Sequence, residues 1–149
     1  MDITTINPVE YDDVLVLWEG SVRATHNFLT DADIALLRPI VRDEALPNLA
    51  LRGIRNDNGK ILGFIGVAGE SVEALFIAPD AFGSGLGSML MQYAEKEFGA
   101  TTVDVNEQNQ KALGFYEHLG YKVVGRSPLD GQGRPFPILH MEKHGKKSD

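Results

Sequence analysis

The chain has 149 residues, of which 43% are hydrophobic and 23% charged, and its formal net charge is −7. The length favours one domain over residues 1–143 with a frayed tail at 144–149, and the negative charge disfavours nucleic acid as a partner. The absence of cysteine excludes disulfides and thiolate chemistry, and no apolar run approaches membrane-spanning length. We therefore expect a cytoplasmic protein without a nucleic-acid or membrane partner.

The first half of the chain predicts two helices and then a hairpin. Apolar residues recur at helical spacing over residues 11–22, and His26 continues this stripe. Thr30 and Asp33 form a capping pair for a second helix, which Pro39 is expected to kink. In chain order, the predicted strands and helices are β-α-α-β-β-β-α-β-α-β-β, at residues 3–6, 11–26, 30–46, 49–55, 60–68, 72–77, 86–98, 101–105, 109–119, 121–125 and 136–142. This order predicts an α/β fold with a mixed, mostly antiparallel central sheet flanked by helices.

A glycine-rich turn follows the strand at residues 72–77. Pro79 breaks the strand, and Gly83, Gly85 and Gly87 stand at alternate positions before a helix. Such a turn points backbone N–H groups at an anion. A tight turn without a ligand is the alternative. A Rossmann loop fits poorly because the turn lies mid-chain, and a Walker loop is excluded because no Gly-Lys-Ser/Thr follows the glycines.

Downstream, Asn109, Ala112 and Tyr116 share one helix face because of their three- and four-residue spacing. The glycine turn after Pro79 and the run Asn109-Gln110-Lys111-Ala112-Leu113-Gly114-Phe115-Tyr116, followed by Leu119-Gly120-Tyr121, resemble the two motifs of the GNAT superfamily of N-acetyltransferases. The resemblance covers about residues 3–142. The runs 21–29, 105–109 and 125–127 are similar to a bacterial subgroup typified by YjaB.

The resemblance implies an enzyme that moves the acetyl group of acetyl-CoA to a primary amine by direct attack in a ternary complex. It implies that Tyr116 protonates the leaving thiolate and that Asn109 bonds the pantetheine arm. The implied CoA-binding residues are Leu75, Phe76, Ile77, Phe82, Gly83, Ser84, Gly85, Leu86, Gly87, Ser88, Asn109, Ala112, Phe115 and Tyr116. The chain departs from the family at Phe82, where Arg or Gln is usual, so weaker or differently arranged phosphate contacts are expected.

Two residues are candidates for the general base. Period-2 alternation predicts that Glu73 shares a strand face with Leu75 and Ile77, where partial desolvation would suit a base. An exposed or ion-paired Glu73 is the alternative. His26 is the second candidate because imidazole titrates near neutrality, although a helix-end histidine can also bond a free carbonyl.

The acceptor side is predicted less specifically. The loop at residues 127–137 is expected to cover it, and the candidate substrate-binding residues are His26, Phe28, Arg126, Phe136 and His140. The acceptor is a small-molecule or protein amine, the chain is a monomer or homodimer, and no metal is expected because the four histidines lack ligand spacing. A non-catalytic acyl-CoA sensor and a nucleotide-binding regulator remain alternative functions.

Overall fold

The computed structural model describes residues 2–131 and 133–143, so the tail predicted at residues 144–149 lies outside the described residues. The elements follow the predicted order: β1 (Asp2–Thr5), α1 (Tyr11–Thr25), α2 (Asp31–Ile40), β2 (Ala50–Arg55), β3 (Ile61–Ala68), β4 (Ser71–Ile77), α3 (Leu86–Phe98), β5 (Thr102–Asn106), α4 (Gln110–His118), β6 (Tyr121–Ser127) and β7 (Ile138–Lys143).

The strands of the described chain form one sheet, in the order β1-β2-β3-β4-β5-β7-β6. Strands β4 and β5 are parallel, and all other neighbours are antiparallel. The β2–β3 hairpin turns at Asn56, whose side chain accepts hydrogen bonds from the N–H groups of Asn58 and Lys60 at 2.9 and 3.0 Å. The predicted mixed, mostly antiparallel sheet is therefore confirmed.

The sheet separates two apolar cores. Helices α3 and α4 pack on one face, and α1 and α2 pack on the other. On β4, Leu75 and Ile77 contact the α3/α4 core, whereas Ala74 and Phe76 contact the α1/α2 core. Strand β4 thus lies at the centre of the molecule, with a helix layer on each side.

Most strand and helix ends lie within two residues of the predicted ones, and the differences at α1, α2 and β6 bear on the site. Helix α1 ends at Thr25, and His26 is its C-cap with φ −115° and ψ 64°, so His26 leaves the helical stripe. Helix α2 contains Pro39 and continues as a π-helical turn over Val41–Ala45. Strand β6 runs on to Ser127 because its last two residues still pair with β7. The following loop spans residues 128–137, because β7 begins at Ile138.

Candidate active site

The turn between β4 and α3 leaves an open helix N-terminus. Gly83 and Gly85 have φ values of 78° and 83°, and a Cβ on either residue would meet no atom within 4 Å. The backbone conformation, and not lack of space, therefore requires glycine at these two positions. The first intrahelical hydrogen bond is donated by Met89 to the Gly85 carbonyl at 3.1 Å, so the N–H groups of residues 86–88 have no acceptor in their own helix. These donors suit an anion.

The third glycine of the turn has a different role. A Cβ on Gly87 would lie 3.2 Å from Cζ of Phe115, so this glycine lets α3 pack against α4. Ser84 donates its hydroxyl to the Ala81 carbonyl, which braces the turn. The side chain of Phe82 is 44% exposed beside it. The turn thus presents backbone N–H groups and an apolar ring to solvent.

A cleft opens between the parallel strands β4 and β5. The two strands pair only at Ser71–Thr102 and Val72–Val103 and then separate. Beyond this point the edge of β4 that faces β5 has no strand partner, so alternate backbone N–H groups open into the cleft. The cavity there has a volume of about 90 Å³. It is lined by His26, Val72, Glu73, Ala74, Leu75, Phe76, Val103, Asp104, Val105, Asn106, Asn109, Ala112 and Tyr116.

Of the two environments predicted for Glu73, the structure shows the exposed one and not the desolvated one. The β3–β4 register shifts between Gly66 and Val67, which pair with Ala74 and Val72, so Glu73 is an extra residue in a β-bulge. The bulge reverses the alternation, and Val72, not Glu73, faces the same core as Leu75. The Glu73 side chain is exposed and accepts a hydrogen bond from the Ser71 hydroxyl at 2.6 Å. Glu73 still borders the cleft, but without the expected desolvation.

His26 enters the same cleft in a defined tautomer. The single hydroxyl proton of Thr25 is donated to the Ser21 carbonyl at 2.8 Å, so the 2.8 Å contact between Thr25 and His26 requires Nδ1 to be the donor. The neutral imidazole therefore has its lone pair on Nε2, which lies 3.5 Å from Nδ2 of Asn109. Burial lowers the pKa of His26 below its ordinary 6.5. His26 is therefore neutral at neutral pH.

Tyr116 lies on α4 at the far wall of this cleft. The residue is buried, and burial raises the pKa of its phenol, which stays protonated at neutral pH. Among the described residues, no hydrogen-bond partner of the hydroxyl is found. Asn109 caps α4 by accepting the Ala112 N–H at 3.2 Å. A protonated phenol, an amide and a neutral imidazole thus border one opening, and Asn109, Ala112 and Tyr116 line it together.

Comparison with known proteins identifies the family. Residues 53–123 match the model of the acetyltransferase (GNAT) domain. The chain is 42% identical over 132 residues to the peptidyl-lysine N-acetyltransferase YjaB of Salmonella typhimurium, covering 89% of this chain and 90% of that protein. The chain belongs to the GNAT family of N-acetyltransferases. The sequence-based recognition is confirmed.

Solved structures of the family agree with this fold. The solution structure of apo YjaB from Escherichia coli is 36% identical and matches with a TM-score of 0.88, covering 97% of this chain and 98% of that one. A PaiA N-acetyltransferase from Thermoplasma acidophilum, in complex with coenzyme A, matches with a TM-score of 0.75 over 95% of this chain and 98% of that one. At 17% identity, the second likeness shows only the shared fold.

Aromatic rings pack in a row beside His26. The ring centroids of His26 and Phe28 are 5.3 Å apart, and those of Phe28 and Phe136 are 5.9 Å apart. The Arg134 guanidinium lies 5.2 Å from the Phe136 ring centroid and pairs with Asp33 of α2. These contacts attach the β6–β7 loop to the α1–α2 region, beside His26. That the loop covers the acceptor remains a prediction.

A larger opening lies on the other side of β4. Its volume is about 420 Å³, and Glu73, Ala74 and Phe76 border both this opening and the cleft. Apolar residues from α1, the segment 41–49 and β3 form most of its walls, among them Trp18, Leu46 and Phe64. Glu73 therefore stands where the two openings meet.

Two further residues were predicted to bind the acceptor, Arg126 and His140. Arg126 donates to both carboxylate oxygens of Glu107 at 2.8 and 3.0 Å and does not line the cleft. His140 does not line the cleft, but it is the cross-strand partner of Asp104, which does, and its Nδ1 lies 2.8 Å from Oδ1 of Asp104 on the same face of the sheet. Asp104 and Thr25 were not predicted from the sequence as residues of this site. The alternation Val103-Asp104-Val105 was a usable signal for Asp104, whereas nothing in the sequence marks Thr25.

No group of three or more His, Cys, Asp or Glu side chains in residues 2–131 and 133–143 is placed to hold a metal ion. None of the helices in those residues is long and apolar enough to cross a membrane.

Proposed function

We propose that this GNAT enzyme transfers the acetyl group of acetyl-CoA to lysine side chains of proteins or peptides, by direct attack in a ternary complex. The observation that carries the proposal is that His26 and Tyr116 line one cleft where β4 and β5 separate. The lysine acceptor is supported by the relative named peptidyl-lysine N-acetyltransferase, at 42% identity.

Acetyl-CoA binds along the open edge of β4. Its pyrophosphate accepts hydrogen bonds from the N–H groups of residues 86–88 at the start of α3. The pantetheine arm runs past α4, where the amide of Asn109 has a second N–H besides the one directed at His26. The thioester then lies in the cleft next to Phe76 and Tyr116. Its carbonyl oxygen takes hydrogen bonds from backbone N–H groups at residues 76–77.

The reaction uses three groups of this chain. The lone pair on Nε2 of His26 takes a proton from the lysine ammonium, and the neutral amine attacks the thioester carbon. Backbone N–H groups stabilise the oxyanion. As the C–S bond breaks, Tyr116 donates its proton to the leaving thiolate, giving the amide and CoA thiol. The attacking nitrogen loses its second proton as the amide forms, and this proton restores the Tyr116 phenol, while His26 releases its own proton to solvent. Glu73, at the edge of the cleft, is the alternative base.

The test measures CoA-thiol release with acetyl-CoA and lysine peptides. We expect turnover with a lysine peptide, none when norleucine replaces the lysine, and the added acetyl group on the lysine Nζ by mass spectrometry. Varying both substrates should give intersecting reciprocal plots, whereas parallel lines would contradict the ternary complex. Tight acetyl-CoA binding with no turnover on any amine would instead favour an acyl-CoA sensor.

A further inference from the structure

A chain of three hydrogen-bonded side chains crosses the C-terminal half of the sheet. The Ser127 hydroxyl lies 2.7 Å from Nε2 of His140, and Nδ1 of His140 lies 2.8 Å from Oδ1 of Asp104. A carboxylate only accepts, so Nδ1 carries a proton and donates it to Asp104. In the neutral imidazole Nε2 then accepts the Ser127 hydroxyl proton. The chain therefore runs in one direction, from Ser127 to Asp104.

The order of the strands determines which of these three hydrogen-bonded side chains reaches the cleft. Ser127 is on β6 and His140 on β7, whereas Asp104 is on β5 and lines the cleft. Neighbouring strands are about 4.8 Å apart, so Ser127 is the member farthest from the cleft. The member of the series nearest the cleft is therefore the Asp104 carboxylate and not the Ser127 hydroxyl. The arrangement therefore orients Asp104 and does not present an activated serine to the thioester.

One carboxylate oxygen of Asp104, Oδ2, is available to a ligand. Its neighbours Val103 and Val105 are buried on the opposite face, and its own side chain is 41% exposed. His140 occupies Oδ1, and within the described chain no partner of Oδ2 is found. A Cβ on Gly125 would lie 3.6 Å from Cδ2 of His140, so the imidazole lies over the backbone of β6. Asp104 is held in place and remains accessible.

The cleft around Asp104 favours a cation. Its lining residues include Glu73 and Asp104 but no lysine or arginine. The imidazole of His26, in the same lining, has its lone pair on Nε2 and can take a proton. An incoming ammonium group therefore meets a carboxylate acceptor and a neutral base in one opening.

We propose that Oδ2 of Asp104 binds the primary ammonium of the acceptor lysine as it enters the cleft, with His140 and Ser127 as positioning residues. The inference rests on the proposed lysine-acetyltransferase function. Asp104 attracts and orients the charged substrate, and His26 then takes the proton. Asp104 is thereby a determinant of specificity for cationic amines over neutral ones.

The experiment measures peptide binding to the enzyme saturated with CoA, by calorimetry, so that no turnover is needed. One peptide carries lysine and a matched peptide carries norleucine. Asp104→Asn should weaken binding of the lysine peptide roughly ten-fold or more, because a hydrogen bond to a charged group is lost. Binding of the norleucine peptide and of acetyl-CoA should be unchanged. Asp57→Asn, an equal charge change at an exposed hairpin turn, is the control and should change none of them.

The positioning residues have a separate readout. His140→Ala should raise the KM for the lysine peptide with little change in kcat, and His140→Gln should recover most of this loss because its amide can still donate to Asp104. Ser127→Ala should have a smaller effect of the same kind. Equal losses with Ala and Gln at position 140, or a fall confined to kcat, would contradict the positioning role.

Three results would overturn the inference. They are unchanged lysine-peptide affinity in Asp104→Asn, equal weakening of both peptides, and loss of acetyl-CoA affinity, which would make Asp104 a structural support of the cleft. Failure of the wild-type enzyme to acetylate any lysine peptide would instead overturn the proposed function. The two failures are thus told apart by the wild-type assay.

Discussion

The side chains of His26 and Asn109 face each other across the cleft, with Nε2 of the imidazole 3.5 Å from Nδ2 of the amide. Because Oδ1 of Asn109 accepts the Ala112 N–H, the amino group of the amide must point at His26. Thr25 requires the proton on Nδ1, so the lone pair of Nε2 faces an N–H donor. The contacts of Nδ1 and of Nε2 thus both indicate the Nδ1–H tautomer, in which Nε2 is the hydrogen-bond acceptor and lies in the cleft.

The pH dependence of the reaction should identify the base. If His26 accepts the proton, kcat/KM falls as the pH drops through the pKa of His26, which burial places below 6.5. His26→Gln should lower the rate and remove this acidic limb, and Glu73→Gln should keep it. The measurement is kcat/KM against pH for the three enzymes. If only Glu73→Gln loses the acidic limb, Glu73 is the general base. If both variants keep the acidic limb, the amine reaches the site already neutral.

Thr25→Val should lower kcat about ten-fold, the equivalent of one hydrogen bond, because the acceptor for Nδ1–H of His26 is lost. Acetyl-CoA affinity should change little. Thr25→Ser keeps the hydroxyl and is the matched control. Nitrogen-15 NMR of the imidazole should show one dominant Nδ1–H tautomer in the wild-type enzyme and a mixture in Thr25→Val. The same tautomer in both proteins would remove the role of Thr25.

Tyr116→Phe should lower kcat roughly a hundred-fold, the usual contribution of a general acid. The hydroxyl makes no hydrogen bond to another described residue, so its removal should change neither the melting temperature nor the dissociation constant of acetyl-CoA appreciably. Steady-state kinetics and calorimetry on the same preparation check this. Unchanged turnover would exclude Tyr116 as the acid.

Phe82→Arg should tighten acetyl-CoA binding about five-fold at low salt, because a guanidinium can pair with the pyrophosphate beside the open start of α3. The position tolerates the change since Phe82 is 44% exposed. Val124→Arg, on the exposed side of β6, adds the same charge away from the turn and should not alter affinity. Equal tightening in both variants would indicate a general charge effect.

Alanine substitutions at two glycines should change the free energy of unfolding in opposite directions. Gly85 has a φ of 83°, so Gly85→Ala should destabilise the fold by about 1 kcal/mol and weaken acetyl-CoA binding by disturbing the start of α3. Gly114 lies inside α4 with an ordinary φ, and a Cβ on this residue would meet no atom within 4 Å. Gly114→Ala should stabilise the fold by roughly 0.5–1 kcal/mol. Chemical denaturation of both variants measures the difference.

The candidate site could be predicted in part. The shared face of Asn109, Ala112 and Tyr116 follows from helical spacing, and all three residues line the cleft. The face of Glu73 could not be predicted, because a β-bulge depends on how β4 pairs with β3 and period-2 alternation carries no sign of it. The left-handed glycines of the turn were recognisable, but the packing of Gly87 on Phe115 was not.

The sequence by itself determined the order of the elements, the glycine turn and the shared face of Asn109, Ala112 and Tyr116, because these depend on residues a few positions apart. Only the tertiary structure decided that β4 and β5 separate after Val72 and that His26 meets Asn109, 83 positions away. It also brought Asp104 beside His140, 36 positions away. Such contacts depend on strand register and on the packing of distant segments, which local periodicity does not encode.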